Sequence, residues 1–463
     1  VIDTVKMNAT EKENTTGALS FRERMAFGCG DLANNVVYSA ISTFLIFYYT
    51  DVVQVSAAQV GSIMLISRCL DGIADIAMGF IVDRTHSRYG KARPWILRMA
   101  IPFAIGAILL FSVPVNWSEN AKLIYIFITY NLVSTVIYTA INVPYATLNA
   151  LMTQDQYERS ILSIFRMILA TVGSMGIALL TLPLVNFFGN DPIAWSKTFA
   201  IFGLVAVILF FCTFAGTKER VKPADKAQVG RKIPILEGVK VLFQNKYWAL
   251  ITTSLVIIFI IMTVNGGATV YYAQVILKDK ELVGPLSTIM NVVQILAMFF
   301  VAGFIKKYGK RNVIIAGSLI TIVGYVTMFL AGTSVNMLFI GNAIKGIGGA
   351  GIASCMFAMV SDTIEYGEWR TGVRIEGLTN SASSFGFKVG GGLGAAIIGW
   401  VLSFGGYVGG SAVQPESAVF AIQSLYIYIP LILTVVQILV LLLYKLDKEY
   451  PQILADLNAK RNS

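Results

Sequence analysis

Charge, histidine and paired cysteine are what this sequence has least of. Of its 463 residues only 13% are Asp, Glu, Lys or Arg, while 56% are hydrophobic and the mean hydropathy is +0.69. A chain so poor in charge cannot present an ordinary water-facing surface. This excludes a soluble enzyme and leaves room for many apolar spans of about 20 residues. The one histidine, His86, lies in a polar loop, and Cys29, Cys69, Cys212 and Cys355 lie in apolar segments without C-x-x-C spacing. There is thus no zinc spacing and no disulfide framework, and the cysteines read as packing residues. The string Gly346-Ile347-Gly348-Gly349-Ala350-Gly351 lacks a preceding strand and a downstream acid, so it is not a dinucleotide fingerprint. No metal and no cofactor is implied. The first twenty residues hold no apolar core ahead of a cleavage site, so no signal peptide is expected. Val1 to Lys6 precede Met7, a candidate initiator, and are set aside.

What is present is a series of twelve apolar runs, centred near residues 38, 70, 104, 135, 172, 205, 260, 295, 321, 348, 391 and 432. The net charge of +10 is spread unevenly between them. Lys and Arg gather in the termini and in alternate loops (Arg84 to Arg93, Lys218 to Lys246, Lys306 to Arg311), whereas the intervening loops carry chiefly Lys122, Lys197, Lys278 and Lys280. This positive-inside pattern predicts an even number of spans in the cell membrane with both termini cytoplasmic. The basic loops then face anionic lipid rather than nucleic acid.

The longest polar interruption splits the chain into an N-terminal tail (1–20), a six-helix half (21–217), a central cytoplasmic loop (218–246), a second six-helix half (247–445) and a C-terminal cytoplasmic tail (446–463). The halves repeat: Gly79-Phe80-Ile81 leads into Arg88-Tyr89-Gly90-Lys91, and Gly303-Phe304-Ile305 leads into Lys307-Tyr308-Gly309-Lys310. The expected fold is an all-α integral membrane protein of twelve transmembrane helices in two pseudo-repeats, an arrangement suited to alternating access. In the central loop, residues 235–243 alternate apolar and charged positions as either an interfacial helix or a simple tether.

The second run contradicts its own hydrophobicity, because Arg68, Asp71 and Asp75 sit at its middle. Each costs about 2.5–3.5 kcal/mol at mid-membrane on insertion scales. Their spacing places all three on one helical face, which therefore looks at protein or a polar path. Two carboxylates one turn apart repel unless a proton or cation is shared, which is the behaviour a coupling site needs. Arg68 can neutralise one of them, or it can form a buried pair that only locks packing. Lys388, among small residues in run eleven, can reach those acids and replace a cation when the site is empty. Arg166 in run five either anchors a substrate group or pairs with a neighbouring helix. Run one carries Asp31, Asn34, Asn35 and Tyr38, and run four carries Thr139, Asn142 and Tyr145. Amides, hydroxyls and aromatic rings suit a polyhydroxylated small molecule, although Asn also serves interhelical hydrogen bonding.

Several strings together resemble the glycoside–pentoside–hexuronide:cation symporter family, a branch of the major facilitators. They are Tyr48-Tyr49-Thr50-Asp51, Arg68-x-x-Asp71-x-x-x-Asp75, Arg88-x-Gly90-Lys91-x-Arg93-Pro94-Trp95, Asn142-Val143-Pro144-Tyr145 and Ser361-Asp362-Thr363-Ile364-Glu365-Tyr366-Gly367-Glu368. The resemblance spans nearly the whole chain in order. It implies a major facilitator fold, a cation site at Asp71 and Asp75 with Thr139 contributing and Lys388 close by, and a sugar-contacting role for Arg166. The melibiose-transporting branch has aspartates where this chain has Asn35 and Asn142, and a tryptophan where it has Ala146. The asparagines instead look like the glucuronide and pentoside branches. The family's sodium users have an Asn where this chain has Ala74, which favours H⁺ over Na⁺.

The sequence thus points to a symporter that imports a glycoside (a pentoside, hexuronide or related disaccharide) with a cation. Substrate is expected among Asn34, Asn35, Tyr38, Asn142, Tyr145, Arg166 and Lys388, with Arg68 and Asp31 as supporting charges. A membrane-embedded enzyme would need a catalytic loop that the short loops do not offer. A non-transporting sugar sensor is the other rival.

Overall fold

The computed structural model describes residues 19–153, 155–221, 240, 242–372, 376–411 and 413–462. Most of the expected N-terminal tail, and residues 235–239 and 241 of the segment expected as an interfacial helix or a tether, lie outside them. Every one of the twelve apolar runs is centred in a helix. In chain order these are α1 (21–52), α2 (Ala57–Arg84), α3 (Arg93–Leu110), α4 (Glu119–Met152), α5 (Gln156–Phe187) and α6 (Pro192–Gly216), then α7 (Lys246–Ile276), α8 (Val283–Tyr308), α9 (Lys310–Ala331), α10 (Val335–Thr371), α11 (Glu376–Phe404) and α12 (416–443). Among the described residues, ten helices are long and apolar enough to cross a membrane. The long helices α1 and α2 carry the central charges Asp31, Arg68, Asp71 and Asp75.

Local chemistry sets the helix ends. Ser20 and Glu23 form a reciprocal capping box at the start of α1, with Ser20 Oγ accepting from the Glu23 amide and Glu23 Oε2 accepting from the Ser20 amide. Asp191 caps α6 ahead of Pro192, and Asn245 caps α7 by accepting from the Trp248 amide at 2.9 Å. α10 stops at Gly372, whose φ of +69° is the left-handed conformation glycine adopts freely. Several helices contain π-helical turns. Those ending α1 (Tyr48–Val52) and α7 (Tyr272–Ile276) occupy equivalent places in the two halves.

The chain groups into two compact units, Val1–Val55 with Cys69–Val229, and Ser56–Arg68 with Gly230–Ser463. In the second, the opening turns of α2 pack on α11. A Cβ on Gly399 would lie 2.2 Å from the Ala57 carbonyl oxygen, and Trp400 Nε1 donates to Ser62 Oγ at 3.1 Å.

The short sequence repeat has a physical basis within each unit. In the first, Gly90 turns at φ +102° and the Glu219 carboxylate accepts from the amides of Lys91, Ala92 and Arg93 at 2.8, 2.9 and 3.0 Å. Arg93 in turn donates to the Phe214 carbonyl at the end of α6. In the second, Gly309 turns at φ +80°, Asp447 accepts from the Arg311 amide at 2.9 Å, and Arg311 Nε donates to the Leu441 carbonyl at 2.8 Å. In both units an acid just beyond the sixth helix therefore caps the N-terminus of the third.

Two expectations change. The C-terminal segment expected as a tail is a helix, α13 (Leu446–Asn462), whose Leu446, Ile453 and Leu457 fall on one face and are buried in the core of the second unit. Trp369 Nε1 and the Tyr247 hydroxyl fasten it to Asp456 and Glu449. Of the cysteines read as packing residues, only Cys355 is buried, while Cys69 and Cys212 are exposed. A thiol is apolar enough to face lipid as readily as a core. Phe299, Phe300, Leu330 and Phe404 are exposed in the same way, as befits helices whose solvent is hydrocarbon.

Candidate functional site

In the first unit α2 and α4 meet through a ladder of hydroxyl and carboxylate. Thr135 Oγ1 donates to Asp71 Oδ1 at 2.5 Å, and Thr139 Oγ1 donates to Asp75 Oδ1 at 3.1 Å. Each acid is one turn from the next, and so is each threonine, so the two rungs lie along one stripe. Asp71 is 1% exposed and Asp75 half-buried, so the upper rung is closed while the lower remains open. Thr135 sits in the π-helical stretch Asn131–Ile137 and also lies 3.4 Å from Asn131 Oδ1. Two carboxylates and two hydroxyls make an all-oxygen set suited to a proton or a small hard cation. Sequence reasoning placed Asp71, Asp75 and Thr139 here but missed Thr135 and Asn131. The available signal was that Thr135 and Thr139 repeat the four-residue spacing of the acids.

A second cluster joins α1, α4 and α5. Arg166 Nε donates to Asp31 Oδ2 at 3.0 Å, and its guanidinium lies over the Tyr145 ring at 5.5 Å. Of the two roles open to Arg166, pairing with a neighbouring helix is therefore realised, yet its side chain stays 34% exposed and can also meet a ligand. Tyr145 is buried, stacked on Phe27 at 4.8 Å, with its hydroxyl donating to the Phe27 carbonyl at 2.7 Å. Its ring fits only because Gly30 has no Cβ, since one there would lie 2.4 Å from it. Asn35 Nδ2 donates to the Asp31 carbonyl at 2.9 Å, and its Oδ1 accepts from Ser174 Oγ at 3.5 Å. Tyr38 stacks on Tyr138 at 5.6 Å, and Asn142 is half-buried one turn further along α4.

Asn34 differs from these. It is 0% exposed, and neither amide atom finds a partner among the described residues. The structure thus brings Asp31, Asn35, Tyr145 and Arg166 together and holds Asn34 inside the packing.

In the second unit Arg68 is buried, its stem against Gly392, where a Cβ would come within 2.9 Å of the arginine Cβ and Cγ. Lys388 is half-buried on α11, one turn before Gly392. The acids of α2 belong to the first unit and Lys388 to the second.

Among the described residues the long elements are all helices, and oxygen-rich, charged clusters lie inside apolar ones. Residues 26–448 match the family described as MFS/sugar transport protein. The chain is 35% identical to the isoprimeverose transporter of Lactiplantibacillus pentosus over 95% of this chain and 91% of that one. It is 32% identical to the inner membrane symporter YicJ of Escherichia coli over 89% of both chains. Among solved structures it is similar to a D-xylose-proton symporter, with a TM-score of 0.67 at 13% identity, covering 92% of this chain and 97% of that one; at that identity the likeness is one of fold. The chain belongs to the MFS sugar-transport family, within its glycoside–pentoside–hexuronide:cation symporter branch. It is a sugar:cation symporter with the major facilitator fold and not an enzyme.

Proposed function

We propose that the protein imports a xyloside or related pentose-containing glycoside with H⁺ across the cytoplasmic membrane, both termini lying in the cytoplasm. The observation that carries the coupling assignment is the double rung Asp71–Thr135 and Asp75–Thr139. Loading these acids with a proton from outside removes their mutual repulsion. Sugar then binds against Arg166, Asn35 and Asn142, and the doubly loaded state permits occlusion and inward opening. Residues 21–217 and 247–445 act as the two halves of this cycle.

Two comparisons support the particulars. By the family resemblance, Ala74 stands where sodium users have an Asn, and its methyl group supplies no such oxygen, which favours H⁺. The substrate named for the Lactiplantibacillus relative contributes the choice of xyloside. The alternatives are Na⁺ as coupling ion, and a hexuronide in place of the xyloside, since Asn35 and Asn142 lack the negative charge that repels a uronate.

The test is the pH change in lightly buffered vesicles on adding xylosides, glucuronides, galactosides or glucosides, with and without sodium. External alkalinisation with xylosides alone is the expected result. Sodium-dependent accumulation without any pH change would transfer the coupling to Na⁺.

A further inference from the structure

The second unit holds a polar network that the coupling site does not use. Lys345 on α10 is 5% exposed, and among the described residues no carboxylate pairs with it. Its Nζ donates to Asn265 Oδ1 on α7 at 3.2 Å and lies near Asn342 Oδ1 on its own helix at 3.4 Å. It faces the rings of Tyr325 on α9 and Tyr426 on α12 at 4.6 and 5.5 Å. Each amide then turns its nitrogen to the matching tyrosine. Asn265 Nδ2 donates to the Tyr325 hydroxyl at 2.7 Å, and Asn342 Nδ2 donates to the Tyr426 hydroxyl at 3.3 Å. The lysine stem reaches this position only because Gly324 is bare, since a Cβ there would lie 2.7 Å from Lys345 Cγ.

The two amides differ in one respect. Asn342, Tyr325 and Tyr426 are buried, whereas Asn265 is half-exposed. A side-chain amide offers two N–H donors and two carbonyl lone pairs. Lys345 takes one lone pair of Asn265 and Tyr325 takes one N–H, which fixes the plane and orientation of the group. One donor and one acceptor of this half-exposed amide remain for a ligand. That combination reads a hydroxyl group, because a hydroxyl both accepts and donates.

We propose that Asn265 is a substrate contact in the second unit that hydrogen-bonds one hydroxyl of the glycoside, and that Lys345 is its positioning residue. This rests on the sugar-symport reading but assigns residues outside every role given above. Lys345 acts through Asn265 and touches no sugar. A site committed in this way rejects an analogue lacking the hydroxyl, because the oriented amide is then left unpaired.

The experiment uses the full chain reconstituted in proteoliposomes, with isoprimeverose, methyl glucuronide and their monodeoxy analogues as probes. Wild-type protein is expected to lose about tenfold in KM for one analogue, the one lacking the bonded hydroxyl. In Asn265→Ala the KM for the parent sugar rises about five- to tenfold with Vmax nearly unchanged, and that analogue's penalty shrinks to about twofold or less. Lys345→Met, which keeps a long apolar stem but no donor, flattens the same discrimination in part. A purely structural role would lower the amount of folded protein or Vmax and leave the discrimination intact. Should Lys345→Met fail to fold, Asn265→Ala alone decides. Unaltered discrimination in Asn265→Ala, with wild-type uptake present, overturns this inference alone. No wild-type uptake of either sugar overturns the substrate reading and this inference with it.

Discussion

Arg166 on α5 closes on Asp31 of α1 with Nε 3.0 Å from Oδ2, and the carboxylate is the more deeply buried partner, at 10% side-chain exposure against 34%. Removing one member of a buried pair costs about 3–5 kcal/mol, less here because the guanidinium keeps some access to water. Asp31→Asn is therefore expected to lower the thermal midpoint in detergent. Asp31→Asn with Arg166→Gln should recover much of that loss, since no unpaired charge is left. Uptake measured in the double variant separates the roles of Arg166. Stability regained without transport is the expected result, and full transport would make the arginine a packing residue only.

The rungs between α2 and α4 make unequal demands. Thr135→Val deletes the donor to the wholly buried Asp71, a bond worth about 1–1.5 kcal/mol that favours the free carboxylate over its protonated form, so with H⁺ as the coupling ion the half-saturating cation concentration for sugar uptake should fall about tenfold. Thr139→Val deletes a longer bond to the more accessible Asp75 and should cost less. Asp71→Asn should abolish concentrative uptake while sugar exchange continues. Cation titrations of uptake and of preloaded exchange check all three, and concentrative uptake surviving in Asp71→Asn would end the coupling assignment.

Much of this was legible in the chain. The helix positions followed from hydrophobic runs, and the paired acids Asp71 and Asp75 of the proposed coupling site from charges in a place where charge is expensive. Thr135 was not, because the π-helical stretch Asn131–Ile137 breaks the 3.6-residue count by which one would place it beside Asp71. Arg166 left two roles open, since a lone arginine in an apolar helix does not announce whether its partner is protein or ligand. Lys345 was overlooked because glycines surround it in sequence, and three of its four partners, Asn265, Tyr325 and Tyr426, come from three other helices. α13 was taken for a tail because its charges mask an apolar face that only the second unit's core completes.

The capped turns after the second and eighth helices give a comparison internal to the molecule. Gly90 and Gly309 both have positive φ, so alanine at either carries a backbone cost of about 1–2 kcal/mol. At Gly90 the new Cβ would also lie 2.2 Å from the Glu219 carboxylate, against 3.1 Å to Asp447 at Gly309. Gly90→Ala should therefore destabilise more than Gly309→Ala. Glu219→Ala, which strips the acceptor from three amides, should cost about 1–2 kcal/mol on its own. Thermal midpoints of the purified variants test the order, and equal loss at the two glycines would contradict it.

The choice of ion turns on one position. Ala74 is half-buried on α2 directly before Asp75, and its methyl group offers no ligand. A proton needs one basic oxygen, which Asp71 or Asp75 supplies, whereas Na⁺ needs several oxygens around it to replace its water. The two carboxylates and two threonine hydroxyls provide four side chains for this, and an amide beside Asp75 would add a fifth. Ala74→Asn is therefore expected to make sugar uptake respond to sodium and to weaken its dependence on external pH. Uptake assayed at fixed pH with sodium varied, and at fixed sodium with pH varied, reads both effects. Sodium stimulation already present in the wild type would mean that the existing oxygens suffice, and would move the coupling ion from H⁺ to Na⁺.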